Sequence, residues 1–295
     1  AFKAYGTIRS LADIIDIQLP AYSDRPGIRY DTGNTYVTLT FASYSTHVKA
    51  MIQYFSRKNI EGKVIATYCK NRIEWDMVGF AAMYRGNALF PLDTKTHPVE
   101  LEHLLKANPP DYMLVSKAQL AKARLLKQQL NLATTFICAD LTDTFEDIGV
   151  EPIAPAQDEL SVAEIYRQYD PEIPVSASSK LESDPDTILG HYPTSGTTSL
   201  PKIVTISHRN IVEEINEAVN VINLRVNEDL LNLGPYTHIG TLVEWLMTKT
   251  RGFTVTYFTR EADDDDVLED EIKKLKKQKV RIKALLGVPK LWIYL

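Results

Sequence analysis

Between residues 64 and 139 short apolar runs alternate with amphipathic ones, and this alternation limits the available folds more than any other feature. "KVIATYC", "ALFPLD", "DYMLVS" and "TTFICAD" have the length and composition of buried strands. The segments between them read as helices. "IEWDMVGFAAMYRGN" is mostly apolar and stops at Gly86. The next is opened by Pro98 and carries Val99, Leu101, Leu104 and Leu105 inward. The third is "KAQLAKARLLKQQL". Strands alternating with helices make an α/β fold of mostly parallel sheets flanked by helices. Such sheets place ligands beyond the carboxyl ends of their strands.

The flanks add further elements. Residues 8–20 read as an amphipathic helix with Leu11, Ile14, Ile15 and Leu19 on one side. "GIRY" and "TYVTLT" around "DTGN" read as a β-hairpin, and a helix from about Ser43 turns Val48, Met51, Ile52 and Phe55 inward. Residues 141–186 break the rhythm, and "VSASSKLESDPD" reads as an exposed connection. Beyond it come the strands "TILGHY" and "KIVTIS" and a helix "HRNIVEEINEAVNVI", with Ile211, Ile215, Val219 and Ile222 on one face. This organisation predicts two α/β subdomains. Residues 1–183 hold the first with its connecting segment, and 184–295 begin the second.

Charge and cysteine usage exclude several function classes. The formal charge of −5 on 295 residues argues against a protein whose main task is gripping nucleic acid. Cys69 and Cys138 sit in apolar runs and read as buried reduced thiols, which favours a reducing, cytoplasmic compartment. No apolar run reaches the length of a transmembrane helix, while peripheral contact with a membrane surface is left open. The run "DDDDVLEDEIKKLKKQK" places acids at a helix start and lysines at its end, as the helix dipole favours. It reads as a solvated helix with Leu268, Ile272 and Leu275 inward, not as a metal site. The chain starts without Met and ends on "PKLWIYL", which reads as part of something longer.

The chemistry is concentrated in "HYPTSGTTSLPKIVTISHRN", residues 191–210. Thr194, Ser195, Thr197, Thr198 and Ser199 surround Gly196, and Pro201 and Lys202 follow. A turn at glycine points successive backbone N–H groups into one concavity, which binds anions. Short hydroxyls add donors and can ligate a hard cation, and a lysine supplies a compact positive charge. The Walker pattern is absent. Composition alone leaves a plain Ser/Thr-rich surface turn equally open.

The order of residues resembles a family. "YPTSGTTSLPKIV" is similar to the phosphate-binding signature of the acyl-adenylate-forming enzymes, Thr-Ser-Gly-Ser/Thr-Thr-Gly-x-Pro-Lys-Gly. Thr194, Ser195, Gly196, Thr197, Thr198, Pro201 and Lys202 stand in register. "TLTFASYSTHVKAMIQYF", "KVIATYCKNRIEWDMVGFAAMYRGNALFPLD", "DLLNLGPYTHIGTLVEWL" and "VRIKALLGVPKLW" resemble further family segments in family order, from about residue 36 onward. Acyl-CoA synthetases are the most similar branch. The resemblance implies part of the large amino-terminal domain of such an enzyme, with the carboxy-terminal domain absent.

What the resemblance implies is a ligase chemistry. A carboxylate, fatty or similarly apolar, attacks the α-phosphate of ATP. Acyl-AMP forms, pyrophosphate leaves, and coenzyme A takes the acyl group. Thr194, Ser195, Gly196, Thr197, Thr198 and Lys202 would cradle the polyphosphate, with Thr197 near its Mg2+. His238, three residues after Pro235, would lie near the reacting carboxylate, and Lys202 and His238 would be the catalytic pair. His191, on the strand before the loop, reads as structural. Ser199 and Ile203 stand where the family has glycine, which puts tight ATP binding in doubt. The family's later magnesium, ribose and lysine segments do not occur, so these residues alone would bind nucleotide poorly and not complete the reaction. A fatty acyl-AMP ligase, a peptide-synthetase adenylation domain and a non-catalytic relative serving as a binding or scaffold module remain alternatives. The acid, the acceptor and the oligomeric state are left open.

Overall fold

The computed structural model describes residues 7–32, 35–151, 154–194, 200–221, 228–257 and 265–286. A π-helical turn, Ile14–Gln18, runs into the short α1 (Leu19–Ala21), and β1 (Pro26–Asp31) and β2 (Tyr36–Thr40) follow. Next come α2 (Phe41–Arg57), β3 (Val64–Tyr68), α3 (Ile73–Tyr84), β4 (Ala88–Pro91), α4 (Pro98–Ala107), β5 (Tyr112–Ser116), α5 (Lys117–Leu130) and β6 (Thr135–Ala139). The polar stretch contributes β7 (Leu160–Ser161), α6 (Val162–Arg167) and α7 (Ser179–Ser183). Then come β8 (Ile188–Thr194), β9 (Lys202–Ser207), α8 (His208–Val221), β10 (Asp229–Asn232), α9 (Ile239–Thr250), β11 (Thr254–Tyr257), α10 (Asp265–Lys277) and β12 (Ile282–Leu286).

Two compact units result. One gathers residues 46–143 and 149–211, the other residues 1–45, 144–148 and 212–295. This division differs from a boundary at 183/184. The reason is hydrogen bonding: β8 pairs in parallel with β4, and β9 pairs antiparallel with β8, so both strands belong to the sheet of the preceding residues.

The first unit holds a seven-stranded sheet in the order β7-β6-β5-β3-β4-β8-β9, parallel except for β9. Strands β3, β5 and β6 are buried on both faces beyond their first residue, as parallel strands covered by helices must be, whereas β9 is largely exposed. Phe90, Leu101, Leu104, Leu105, Val115, Leu120 and Phe136 form one core cluster. Val99, expected inside, is 59% exposed. It precedes Leu101 by two residues, about 200° around a helix, and so faces away from that stripe.

Helix α3 is buried over its whole length and ends where the sequence predicts. Gly86 has φ +66 and donates its N–H to the Met83 carbonyl, while Asn87 donates to Ala82. A left-handed residue just past a helix end suits glycine. The nearest atom to an added methyl is Ser178 Oγ at 3.5 Å, so space is not the constraint. Gly86→Ala is therefore expected to cost about 1 kcal/mol from backbone conformation, read as a lower urea midpoint, with Gly86→Asn recovering part of it.

Residues 141–186 are more ordered than a plain connection. Ser161 caps α6, its Oγ accepting from Glu164 N at 3.0 Å and donating to Asp140 Oδ2 at 2.6 Å. Within "VSASSKLESDPD", Ser178 caps α7, and Ser178 and Leu181 are buried. The exposed-connection reading fails there because a serine cap and one leucine suffice to dock a short helix.

The second unit holds a five-stranded sheet, β12-β10-β11-β1-β2, parallel except for β2. The expected hairpin is β1–β2, and Arg29 on β1 is paired with Asp229 on β10. Leu11, Ile14, Ile15 and Leu19 are buried as predicted, but the helix over 8–20 is not a regular α-helix. Leu19 N–H bonds Ile14 O, five residues back, and Pro20 has no N–H to continue an α-helical ladder. In α10, Leu275 is buried, and Lys273 pairs with Glu269 at 2.9 Å on the outer side, as a solvated helix requires. The side chain of Leu268 and residue Ile222 lie outside the description.

Candidate functional site

The hydroxyl-rich loop leaves the carboxyl end of β8, where a parallel sheet presents ligands. Its mouth is closed by register: Thr194, the last residue of β8, pairs with Lys202, the first of β9. Thr194 Oγ1 donates to the Lys202 carbonyl at 3.3 Å. Both residues are exposed. Ser195, Gly196, Thr197, Thr198 and Ser199 lie outside the described residues. Ile203 faces Pro193 across the hairpin and packs against the core cluster of its unit, so it serves the return strand as an ordinary strand residue. His191 is half-buried, its Nδ1 3.2 Å from Thr205 Oγ1 across the same hairpin, and burial lowers its pKa.

His238 belongs to the other unit. It is the N-cap of α9, in extended backbone (φ −97, ψ 129). Its Nδ1 accepts the Gly240 N–H at 3.2 Å. The cap satisfies one orphan donor of the helix. It also assigns the tautomer: with Nδ1 accepting, the neutral ring carries its proton on Nε2, turned outward as a donor. The structure thus brings Thr194 and Lys202 together and describes His238 separately.

Two ionisable groups on α9 were not flagged by the sequence. Lys249 is fully buried, its Nζ 4.7 Å from the Tyr44 ring centroid and 5.9 Å from that of Tyr257. Glu244 is half-buried, and burial pushes its carboxyl up to about 7. The available signal was a single acid inside the otherwise uncharged run "GTLVEWLMT". Both cysteines are buried free thiols as expected, and burial, with Glu159 nearby, pushes Cys138 up to about 12. Among the described residues no group of three or more His, Cys, Asp or Glu is placed to hold a metal ion. Nor is any helix among them long and apolar enough to cross a membrane.

A mostly parallel sheet flanked by helices, with a hydroxyl-rich sequence following the carboxyl end of one strand, defines an α/β protein. The family described as "AMP-binding enzyme" matches residues 16–295, and the chain belongs to it. A Bacillus subtilis protein named "Putative acyl--CoA ligase YdaB" is 25% identical over 260 residues, 88% of this chain and 46% of that protein. The Drosophila melanogaster "Long-chain-fatty-acid--CoA ligase heimdall" is 25% identical over 281 residues, 92% of this chain and 40% of its own length. The chain thus spans less than half the length of these relatives. In fold it is similar to the luciferase-like enzyme of the Zophobas morio mealworm, with a TM-score of 0.77 and 18% identity, over 100% of this chain and 63% of that one.

Proposed function

We propose that the protein to which these residues belong activates a carboxylic acid with ATP and then transfers the acyl group to coenzyme A. A carboxylate oxygen bonds to the α-phosphorus, the α–β phosphoanhydride bond breaks, and pyrophosphate leaves. The thiol sulfur then bonds to the acyl carbon, AMP departs, and the thiol proton is released. The observation that carries this reading is the hairpin mouth: Lys202 and Thr194, in register, close a loop of family order at the carboxyl end of β8.

In this reading Thr194, Ser195, Gly196, Thr197, Thr198 and Lys202 form the polyphosphate cradle. Their donors are neutral or positive and no carboxylate stands among them, which suits an anion. Thr197 would contact Mg2+ carried by the polyphosphate, which would supply further charge neutralisation when bound. Charge on the departing pyrophosphate is what such a reaction must stabilise. His238 donates from Nε2 to the acid. The acid is aliphatic, in line with the Drosophila relative's name, and the two buried thiols favour a reducing, cytoplasmic setting. A polypeptide of these residues alone is proposed to bind nucleotide weakly and not to turn over.

The test is trapping. With ATP, acid and hydroxylamine, the full-length protein yields acyl hydroxamate and AMP. Formation of ADP in place of AMP would overturn the reading. His238→Ala is expected to lower kcat/KM for the acid roughly ten- to a hundredfold, the value of one hydrogen bond to a charged group. His238→Asn, which restores a cap, is expected to recover stability without recovering kcat/KM.

A further inference from the structure

Most of the well-buried carboxylates described in this chain have a cation beside them. Asp31 pairs with Lys274 at 3.0 Å, Asp13 with Arg9 at 3.1 Å, and Glu74 with Arg72 at 3.0 Å. Glu244 differs. Its Oε2 is buried and has no hydrogen-bond partner among the described residues; Oδ1 of Asp76 and of Asp147 share that property, but those two residues have other polar interactions. The residues on either side of it in α9 do not share its position: Thr241, Leu242, Trp245 and Leu246 are all buried in the unit's core.

The surroundings of Glu244 on its helix form a short track. Gly240 and Glu244 are one turn apart and stack on one face. The His238 imidazole folds over that face, since a methyl group on Gly240 would stand 3.3 Å from Nδ1 and 3.4 Å from Cε1. Because Gly240 has no side chain, nothing of its own separates the imidazole from the carboxyl of Glu244. An unpaired buried carboxyl costs stability, and such costs are characteristic of sites where the partner arrives with a ligand.

We infer that Glu244 is a specificity residue that selects an aliphatic acid carrying a hydrogen-bond donor, an ammonium or a hydroxyl, about one helical turn (~5.4 Å) from its carboxylate. The inference rests on the reading of His238 given above. The substrate carboxylate meets His238 Nε2–H, its chain lies along Gly240, and its donor meets Glu244. Burial holds the Glu244 carboxyl near neutrality, up to about 7, so it accepts from an ammonium when ionised and from a hydroxyl in either state.

The test compares butanoate, hydroxybutanoate and aminobutanoate, the latter two substituted at the terminal carbon, as substrates for pyrophosphate release by the full-length protein. The donor-bearing acids are expected to exceed butanoate in kcat/KM by about tenfold or more. Glu244→Leu reverses that order, and Glu244→Gln loses the amine preference while keeping that for the hydroxyl. Thermal melting provides the second readout: Glu244→Leu melts at the wild-type temperature or above, because an unpaired carboxyl is removed. A clear fall in melting temperature would mean that Glu244 has a partner within the protein, and it would overturn the inference. So would equal use of butanoate, or a preference that ignores Glu244→Leu; either result would leave acid activation standing. No release with any acid would overturn both.

Discussion

Replacing Lys202 by Ala in the full-length protein is expected to lower the proposed acid-dependent adenylate formation by about a hundred- to a thousandfold, the usual loss when one preorganised charge-stabilising donor is removed. The melting temperature shifts by no more than about 2 °C, because an exposed side chain at a strand start carries little stability. The combination is diagnostic. A residue that only began the return strand would change neither rate nor melting. A residue needed for the fold would change both. Lys202→Arg keeps the charge but spreads it over a planar fork, so it restores part of the rate. Unchanged adenylate formation in Lys202→Ala would remove the lysine from the cradle.

The second large effect is on stability. Arg72 and Glu74 are fully buried, with Arg72 Nε 3.0 Å from Glu74 Oε2. Arg72 also donates to the carbonyls of Ala139 at 3.3 Å and Thr142 at 2.6 Å, and Thr142 N donates to Glu74 Oε1 at 2.8 Å. The group ties the start of α3 to the chain leaving β6, at the carboxyl end of the seven-stranded sheet. Glu74→Ala leaves a buried guanidinium without its counter-charge and is expected to cost about 3–5 kcal/mol, read from urea unfolding. Replacing both residues by apolar ones of similar size costs much less. Burial alone would raise the Glu74 carboxyl, but Arg72 and the Thr142 N–H overcome it and hold it below the ordinary range. The sign follows from linkage: this stability is fully present above the ordinary carboxylate pKa and is lost as pH falls through the lower folded value. The gap between wild type and Glu74→Gln therefore closes on acidification. A Glu74→Ala protein within about 1 kcal/mol of wild type would show that the network carries no stability.

The sequence announced much of this architecture for a physical reason. Strands buried on both faces read as unbroken apolar runs, and "VIATY" and "TFICA" are such runs; the helix stop at Gly86 needs only a left-handed residue. What it concealed was held by single polar contacts. Helix α6 follows a Ser-x-x-Glu pattern at Ser161 and Glu164, a legible cap signal submerged in a polar stretch. Val99 is apolar yet exposed because two positions along α4 turn about 200°, away from the buried Leu101. For the site, the order of residues 194–202 carried the family resemblance, whereas the pairing of Thr194 with Lys202 needed the strand register. Glu244 stayed hidden because the lack of a partner is a property of the folded surroundings, and no spacing in "GTLVEWLMT" encodes it.

The most direct measurement of the central claim is carboxylate-dependent exchange of labelled pyrophosphate into ATP by the full-length protein. Acids from acetate to long-chain fatty acids, together with hydroxy and amino acids, form the panel. Exchange is expected with at least one class of acid, dependent on Lys202 and absent without acid. A folded, full-length protein that exchanges with none of them would contradict that claim, and would favour a non-catalytic binding module of the same fold.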